Sequence, residues 1–202
     1  IDPLARINLP NIRRLIAQQR YFVLHAPRQT GKTTCLLALM DYLNKQGDYR
    51  ALYANIEAAQ ALREDVPQAI RAVCSVIARN AKIYLRETRL LAYLNDRPFE
   101  NPGDVLTDLL AWWTEQSDKP TVLFLDEIDA LVGDTLISVL RQIRAGYAQR
   151  PAAFPVSIIL CGVRDIRDYR IQTGGKDIIT GGSAFNIKTC LLYTSPSPRD
   201  DQ

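Results

Sequence analysis

Two kinds of apolar run alternate along the chain. "YFVLHA" (Tyr21 to Ala26) is a compact apolar block bounded by charge and by Pro27, the pattern of a buried strand. From Gly31 to about Gln46 the apolar side chains Leu36, Leu37, Leu39, Met40 and Leu43 keep a helical spacing that stops at Gly47. "RALYANIE" (Arg50 to Glu57) predicts a second strand, and Asn11 to about Gln19 a short helix ahead of the first. Val66, Ile70, Val73, Ile77, Ala81 and Tyr84 then lie along one helical face. They predict a long helix from Asp65 to about Asn95, with Asp65 as its cap and Pro67 in the first turn, where a missing N–H costs nothing.

Pro98 to Gly103 breaks that pattern, and Asn101 can cap a further helix carrying Val105, Leu109, Trp112 and Trp113 until Lys119-Pro120. "TVLFLDE" (Thr121 to Glu127) is a third strand of the continuous apolar kind that parallel sheets require. A helix from Asp134 to Gln149 and a fourth strand, "VSIIL" (Val156 to Leu160), complete the order. Strands alternating with helices imply right-handed crossovers and an α/β fold, a parallel sheet covered by helices on both faces. The glycine-containing stretch from Arg170 to Ser183 has little periodicity and reads as a mobile surface loop.

Composition narrows the class without naming a partner. At 202 residues and 47% hydrophobic, the chain has room for one domain with one core. Charged residues make up 23% with a formal net charge of +3, a globular balance that does not argue for nucleic acid. No apolar run approaches the roughly 20 residues of a membrane span, and the N-terminus lacks a secretory pattern, so the expectation is a cytoplasmic protein. Cys35, Cys74, Cys161 and Cys190 show no metal-ligand or redox spacing and are expected as reduced thiols. From Cys190 onward "CLLYTSPSPRDDQ" breaks in composition and resembles translated sequencing-adapter DNA. The expected division is therefore a domain over 1–189 and a non-native tail over 190–202, with the chain a fragment at both ends.

Chemistry concentrates at two strand ends. "APRQTGKTT" (Ala26, Pro27, Arg28, Gln29, Thr30, Gly31, Lys32, Thr33, Thr34) lies between a predicted strand and a predicted helix, the context of a phosphate-binding P-loop. Gly31 lets the backbone turn so that successive N–H groups point at phosphate oxygens, and the helix beginning there adds its positive end. Lys32 would reach the β- and γ-phosphates, and Thr33 would offer its hydroxyl to magnesium. Ala26 stands where the usual pattern has glycine. "LFLDEID" (Leu123 to Asp129) ends an apolar strand in two adjacent acids. At the C-terminal edge of a parallel sheet Asp126 could hold magnesium through water while Glu127 acts as general base, with Asp129 better suited to capping the next helix.

These motifs, over about Ile7 to Lys188, resemble the AAA+ and STAND branches of the P-loop ATPases, and most closely prokaryotic ATP-binding proteins akin to archaeal predicted ATPases and origin-recognition ATPases. Pro27-Arg28 before the Gly-Lys-Thr is a feature that group often carries. The resemblance implies a three-layer sandwich of the ASCE type with an extra strand between the lysine-bearing strand and the acidic one. The long insertion after "NIE" is consistent with a strand–helix unit there. It implies ATP and Mg2+ as ligands, a helical lid beyond Thr189, and polar control of the catalytic glutamate by Asn55, for which a turn asparagine bonded to its own backbone is an equal reading. Arg164 matches the first sensor of the γ-phosphate, or is a surface arginine paired with Asp165. Arg167 and Arg170 are weaker candidates to act on a neighbouring subunit, and His25 reads as a strand-end histidine. The leading functional reading is an ATPase whose hydrolysis resets a conformational switch in a larger protein. The alternatives are a P-loop kinase and a nucleotide-gated binding module that scarcely turns over. A homo-oligomer or an arginine finger from a partner is possible, as is nucleic acid through a domain beyond this segment.

Overall fold

Five strands, β1 (Phe22–His25), β2 (Arg50–Asn55), β3 (Thr121–Asp126), β4 (Ser157–Gly162) and β5 (Ile187–Cys190), form one sheet in the order β2-β3-β4-β1-β5. The computed structural model describes residues 2–25, 30–62, 65–97, 101–162 and 187–190. Every neighbouring pair is parallel. Registers align the carboxyl ends: Asn55 lies beside Asp126, His25 beside Gly162, and His25 beside Cys190 on its other side. The strand order carries the expected extra strand between β1 and β3, and that strand is β4.

Both faces of the sheet are apolar, and side chains alternate between them with the strand period of two. Val23, Leu52, Ala54, Leu123, Leu125, Ile158 and Leu160 belong to one core layer; Phe22, Leu24, Ala51, Tyr53, Val122, Phe124, Ile159 and Cys161 belong to the other. The second layer is closed by α1 (Leu9–Ala17) and α2 (Lys32–Gln46). The first is closed by α3 (Val66–Leu85), α4 (Arg89–Asp96), α5 (Val105–Glu115) and α6 (Gly133–Gly146). Asp126 follows Phe124 by two positions and so faces the α2 side, which decides where the chemistry can be built.

Several boundaries differ from the sequence pattern for local reasons. The segment between β2 and β3 contains three α-helices and, among the described residues, no strand, so it does not supply the expected strand–helix unit. The single long helix is two, because Arg86 takes a left-handed backbone (φ 58, ψ 28) and closes α3 while Glu87 turns inward. The cap at Asp65 is present, its side chain accepting from the Gln68 amide at 3.2 Å. Helix α1 begins at Leu9 rather than Asn11, since Asn8 accepts from the Asn11 amide at 3.1 Å and Pro10 fits the first turn. The residues from Asn101 form a turn, and α5 starts only at Val105. Helix α6 ends at Gly146 and gives way to a 3-10 turn, Tyr147–Gln149. Strand β4 runs on to Gly162, and β5, which the sequence pattern does not reveal, reaches Cys190, one residue past the expected end of the domain.

Candidate functional site

Helix α2 begins at the carboxyl rim of the sheet, beside the end of β3. Its N-cap, Gly31, has φ 77 and ψ 26, a left-handed conformation that glycine adopts without the usual side-chain penalty. The turn thereby releases Lys32 and Thr33 into the first turn of α2, where backbone N–H groups have no helical acceptor. Thr33 is exposed and donates its hydroxyl to Asp126 Oδ2 at 2.9 Å. That single bond joins the two motifs across 93 positions of sequence. Lys32 is 6% exposed and lies near enough to both Glu127 and Cys161 to favour their anionic forms.

Asp126 is fully buried, at 0% exposure, and its carboxylate is held from three directions. Tyr53 of β2 donates its phenol to Oδ2 at 2.9 Å, Thr33 donates to the same oxygen, and the Glu127 amide donates to Oδ1 at 2.9 Å. Cys161 of β4 also shares a side-chain hydrogen bond with it; burial and the nearby Asp126 charge push that thiol well up, so it stays protonated. The Tyr53 phenol is likewise pushed up, by burial first and by Asp126 second, and remains a donor. Glu127 has a left-handed backbone (φ 58, ψ 41), where a non-glycine residue is uncommon and strain clusters at functional sites. Its carboxyl is raised, chiefly by burial, against the pull of Lys32 and with added repulsion from Asp126, Glu57 and Asp129.

The donor set is hard: a threonine hydroxyl and two carboxylates, with the Lys32 ammonium acting on Glu127. It fits magnesium, which is held by one or two carboxylates plus substrate phosphates rather than by an all-protein cage. Among the described residues no group of three or more His, Cys, Asp or Glu side chains could hold a metal without such help.

Of the residues singled out by sequence, Gly31, Lys32, Thr33, Asp126 and Glu127 come together. Thr30 and Thr34 flank them, Thr34 being exposed. Asn55 reaches the same rim, but its side chain accepts from the Glu57 amide at 2.9 Å, the local turn bond. His25 ends β1, and Asp129 lies in the 3-10 turn after β3, packed so closely on Gly162 that a Cβ there would sit 2.5 Å from its Oδ2. Ala26, Pro27, Arg28, Gln29, Arg164, Arg167 and Arg170, and the glycine stretch 170–183, lie outside the described residues.

Tyr53, Cys161 and Arg6 escaped the sequence reading. Alternation along β2 puts Tyr53 on the α2 face of the sheet, so a residue-by-residue reading of the strand could have found it. Arg6 ends a 3-10 turn, Pro3–Arg6, that packs on α2; a Cβ on Gly31 would come within 2.8 Å of its Nη1. Nothing in the local sequence signals that contact.

Cys35, Cys74 and Cys161 are free, buried thiols. Among the described residues no helix is long and apolar enough to cross a membrane. A groove of about 510 Å³ between α1 and the C-terminal turns of α2, lined in part by Arg13, Tyr42, Asp48 and Tyr49, is at the other end of α2 from Lys32.

No curated protein matches this chain. Among solved structures it is similar to Cdc6p from Pyrobaculum aerophilum, with 19% identity, a TM-score of 0.49 and 76% of this chain aligned to 37% of that one. A Walker-type ATPase of Pyrococcus abyssi gives 15% identity, a TM-score of 0.49, and 76% and 43% coverage. A chain from Drosophila ORC bound to poly(dA/dT) DNA and Cdc6 gives 14%, 0.49, and 79% and 24%. The chain thus spans less than half the length of each of these structures. A family model described as AAA domain matches residues 14–169, most of the chain and both motifs. With that match over a parallel sheet whose lysine and acidic motifs meet at one rim, this chain belongs to the AAA domain family, the AAA-type P-loop ATPases.

Proposed function

We propose that the domain binds ATP with Mg2+ and hydrolyses it to reset a conformational switch in a larger protein. The observation that carries this reading is the 2.9 Å bond from Thr33 to Asp126, which ties the lysine-bearing helix start to the acidic strand end. In this reading Lys32 and the α2 N-terminus bind the phosphates, electrostatically and through open backbone donors. When bound, magnesium neutralises charge on the β- and γ-phosphates. Thr33 would hold it, with Asp126 as the anionic partner beneath. Glu127 would accept a proton from water, and its raised pKa makes it a stronger base than an ordinary carboxylate once ionised. Domain limits near 189, the switch and a second subunit supplying an arginine all belong to the proposal.

Phosphate release tests it. With ATP, Mg2+ and no added acceptor, the protein should release phosphate to water, and Glu127→Gln should retain nucleotide while losing turnover. Phosphate appearing only when a small acceptor is supplied would mean a kinase instead. Turnover that stays negligible with the complete protein and its partners present would leave a binding module.

A further inference from the structure

The buried carboxylate of Asp126 is held in part by contacts from outside both sequence motifs. A carboxylate offers about four lone-pair directions. The Thr33 and Tyr53 hydroxyls take two on Oδ2, the Glu127 amide takes one on Oδ1, and the Cys161 thiol shares a further hydrogen bond with the carboxylate. Tyr53 makes its bond from β2, the strand next to β3, and it is itself anchored. Its ring is 4% exposed in the α2-side core, and Tyr84 of α3 meets it edge to face at a centroid distance of 6.3 Å. Its carbonyl accepts from Asn80 Nδ2 at 2.9 Å, so α3 covers the open edge of β2 at this residue. A phenol held this firmly fixes the rotation of the carboxylate beneath Thr33.

We infer that Tyr53 is a positioning residue for the metal: by holding Asp126 Oδ2 it orients the carboxylate, and through it the Thr33 hydroxyl, toward magnesium on a bound nucleotide. This rests on the reading of Asp126 and Thr33 as the metal's protein partners. Removing the phenol takes away one of two hydroxyl donors on a fully buried oxygen, and the carboxylate is then free to turn toward its remaining donors. Outer partners of this kind typically cost 10–100-fold in metal affinity when lost. Because the Tyr53 phenol meets Asp126 and Thr33, the two residues read as the metal's partners, the effect should be confined to the metal-dependent part of nucleotide binding.

The test is equilibrium binding of a fluorescent ATP analogue, first in EDTA and then across a Mg2+ titration, for the parent, Tyr53→Phe, Asp126→Asn and Tyr84→Phe. Tyr53→Phe should bind as the parent does in EDTA and need about tenfold more Mg2+ for half of the metal-dependent gain. Tyr84→Phe, which keeps the edge-to-face ring and has no contact with Asp126, should titrate as the parent. A parent-like Mg2+ curve for Tyr53→Phe, with Asp126→Asn losing the gain, would overturn the positioning role and leave the site reading intact. Equal losses with and without Mg2+ in Tyr53→Phe would also overturn it, as a packing effect. If Asp126→Asn itself keeps the full gain, the site reading fails and the inference with it.

Discussion

Two acids are buried at opposite rims of the sheet, and they are held in opposite ways. Glu87, 6% exposed, sits at the amino rim with Arg50 Nε at 2.8 Å and Arg89 Nη2 at 3.9 Å. The Arg50 contact lies off the hydrogen-bonding direction, so it is a charge contact more than a directed bond. Asp126, 0% exposed at the carboxyl rim, is held by two hydroxyls, an amide and a thiol, and among the described residues no arginine or lysine lies within ion-pair distance. A carboxylate neutralised by arginine has its charge already matched. One held by neutral donors has no counter-charge among its contacts, an arrangement that is costly for a buried charge unless a cation arrives. On the proposed function, the difference separates an acid that fastens the fold from one that would face a metal.

The carboxyl rim should therefore fail in function and the amino rim in stability. The largest functional loss should come from Lys32→Ala: nucleotide affinity should fall about 100-fold or more, the equivalent of losing one or two charge-assisted bonds to phosphate. A fluorescent-nucleotide titration measures it. Unchanged affinity would detach the lysine from the site.

The two acids test the comparison directly. Asp126→Asn should erase the Mg2+-dependent gain in nucleotide affinity while the melting temperature holds or rises, because a buried carboxylate with no ion-pair partner among the described residues gives way to a neutral amide of the same size. Glu87→Gln should leave nucleotide binding alone and cost about 1–3 kcal/mol in denaturant unfolding. That is less than the loss of a fully buried pair, since Arg50 remains 31% exposed. The contrast collapses if Glu87→Gln weakens nucleotide binding as much as Asp126→Asn does.

The smallest pair of effects lies at the two ends of α2. Gly31 and Gly47 have φ 77 and 84, so alanine at either should cost about 1–2 kcal/mol of stability. Only Gly31→Ala should also weaken nucleotide binding, because its backbone turn aims the N–H groups and its new Cβ would press on Arg6. Thermal unfolding alongside nucleotide titration of both variants separates the shared backbone cost from the site-specific loss.

How much of this was legible in the sequence depended on the range of the forces involved. The apolar runs that begin near Tyr21, Arg50, Thr121 and Val156 mark strands because a strand buried on both faces leaves little room for polar positions. Lys32, Thr33, Asp126 and Glu127 could be read because each motif sits at a junction between elements. The break between α3 and α4 could not: Arg86-Glu87-Thr88 contains neither glycine nor proline, and what pulls Glu87 inward is Arg50, far off in sequence. Strand β5, "IKTC", is too short and mixed to stand out, and it exists because β1 offers an edge to pair with. The Tyr53 bond spans 73 positions, so alternation gives its face but not its partner. Expecting a strand between β2 and β3 failed for a different reason, as that segment's apolar spacing is helical on both sides of the break at Pro98 to Gly103.

A crystal structure of the protein with a non-hydrolysable ATP analogue and Mn2+, located by its anomalous signal, shows whether the helix start at Lys32 and the acids at the end of β3 serve one metal–nucleotide. One manganese peak is expected against the Thr33 hydroxyl and the β- and γ-phosphates, with Asp126 reached directly or through one water and Lys32 on the same phosphates. Manganese or triphosphate lodged away from Thr33 and Asp126, or the two residues serving separate ligands, would contradict a shared site.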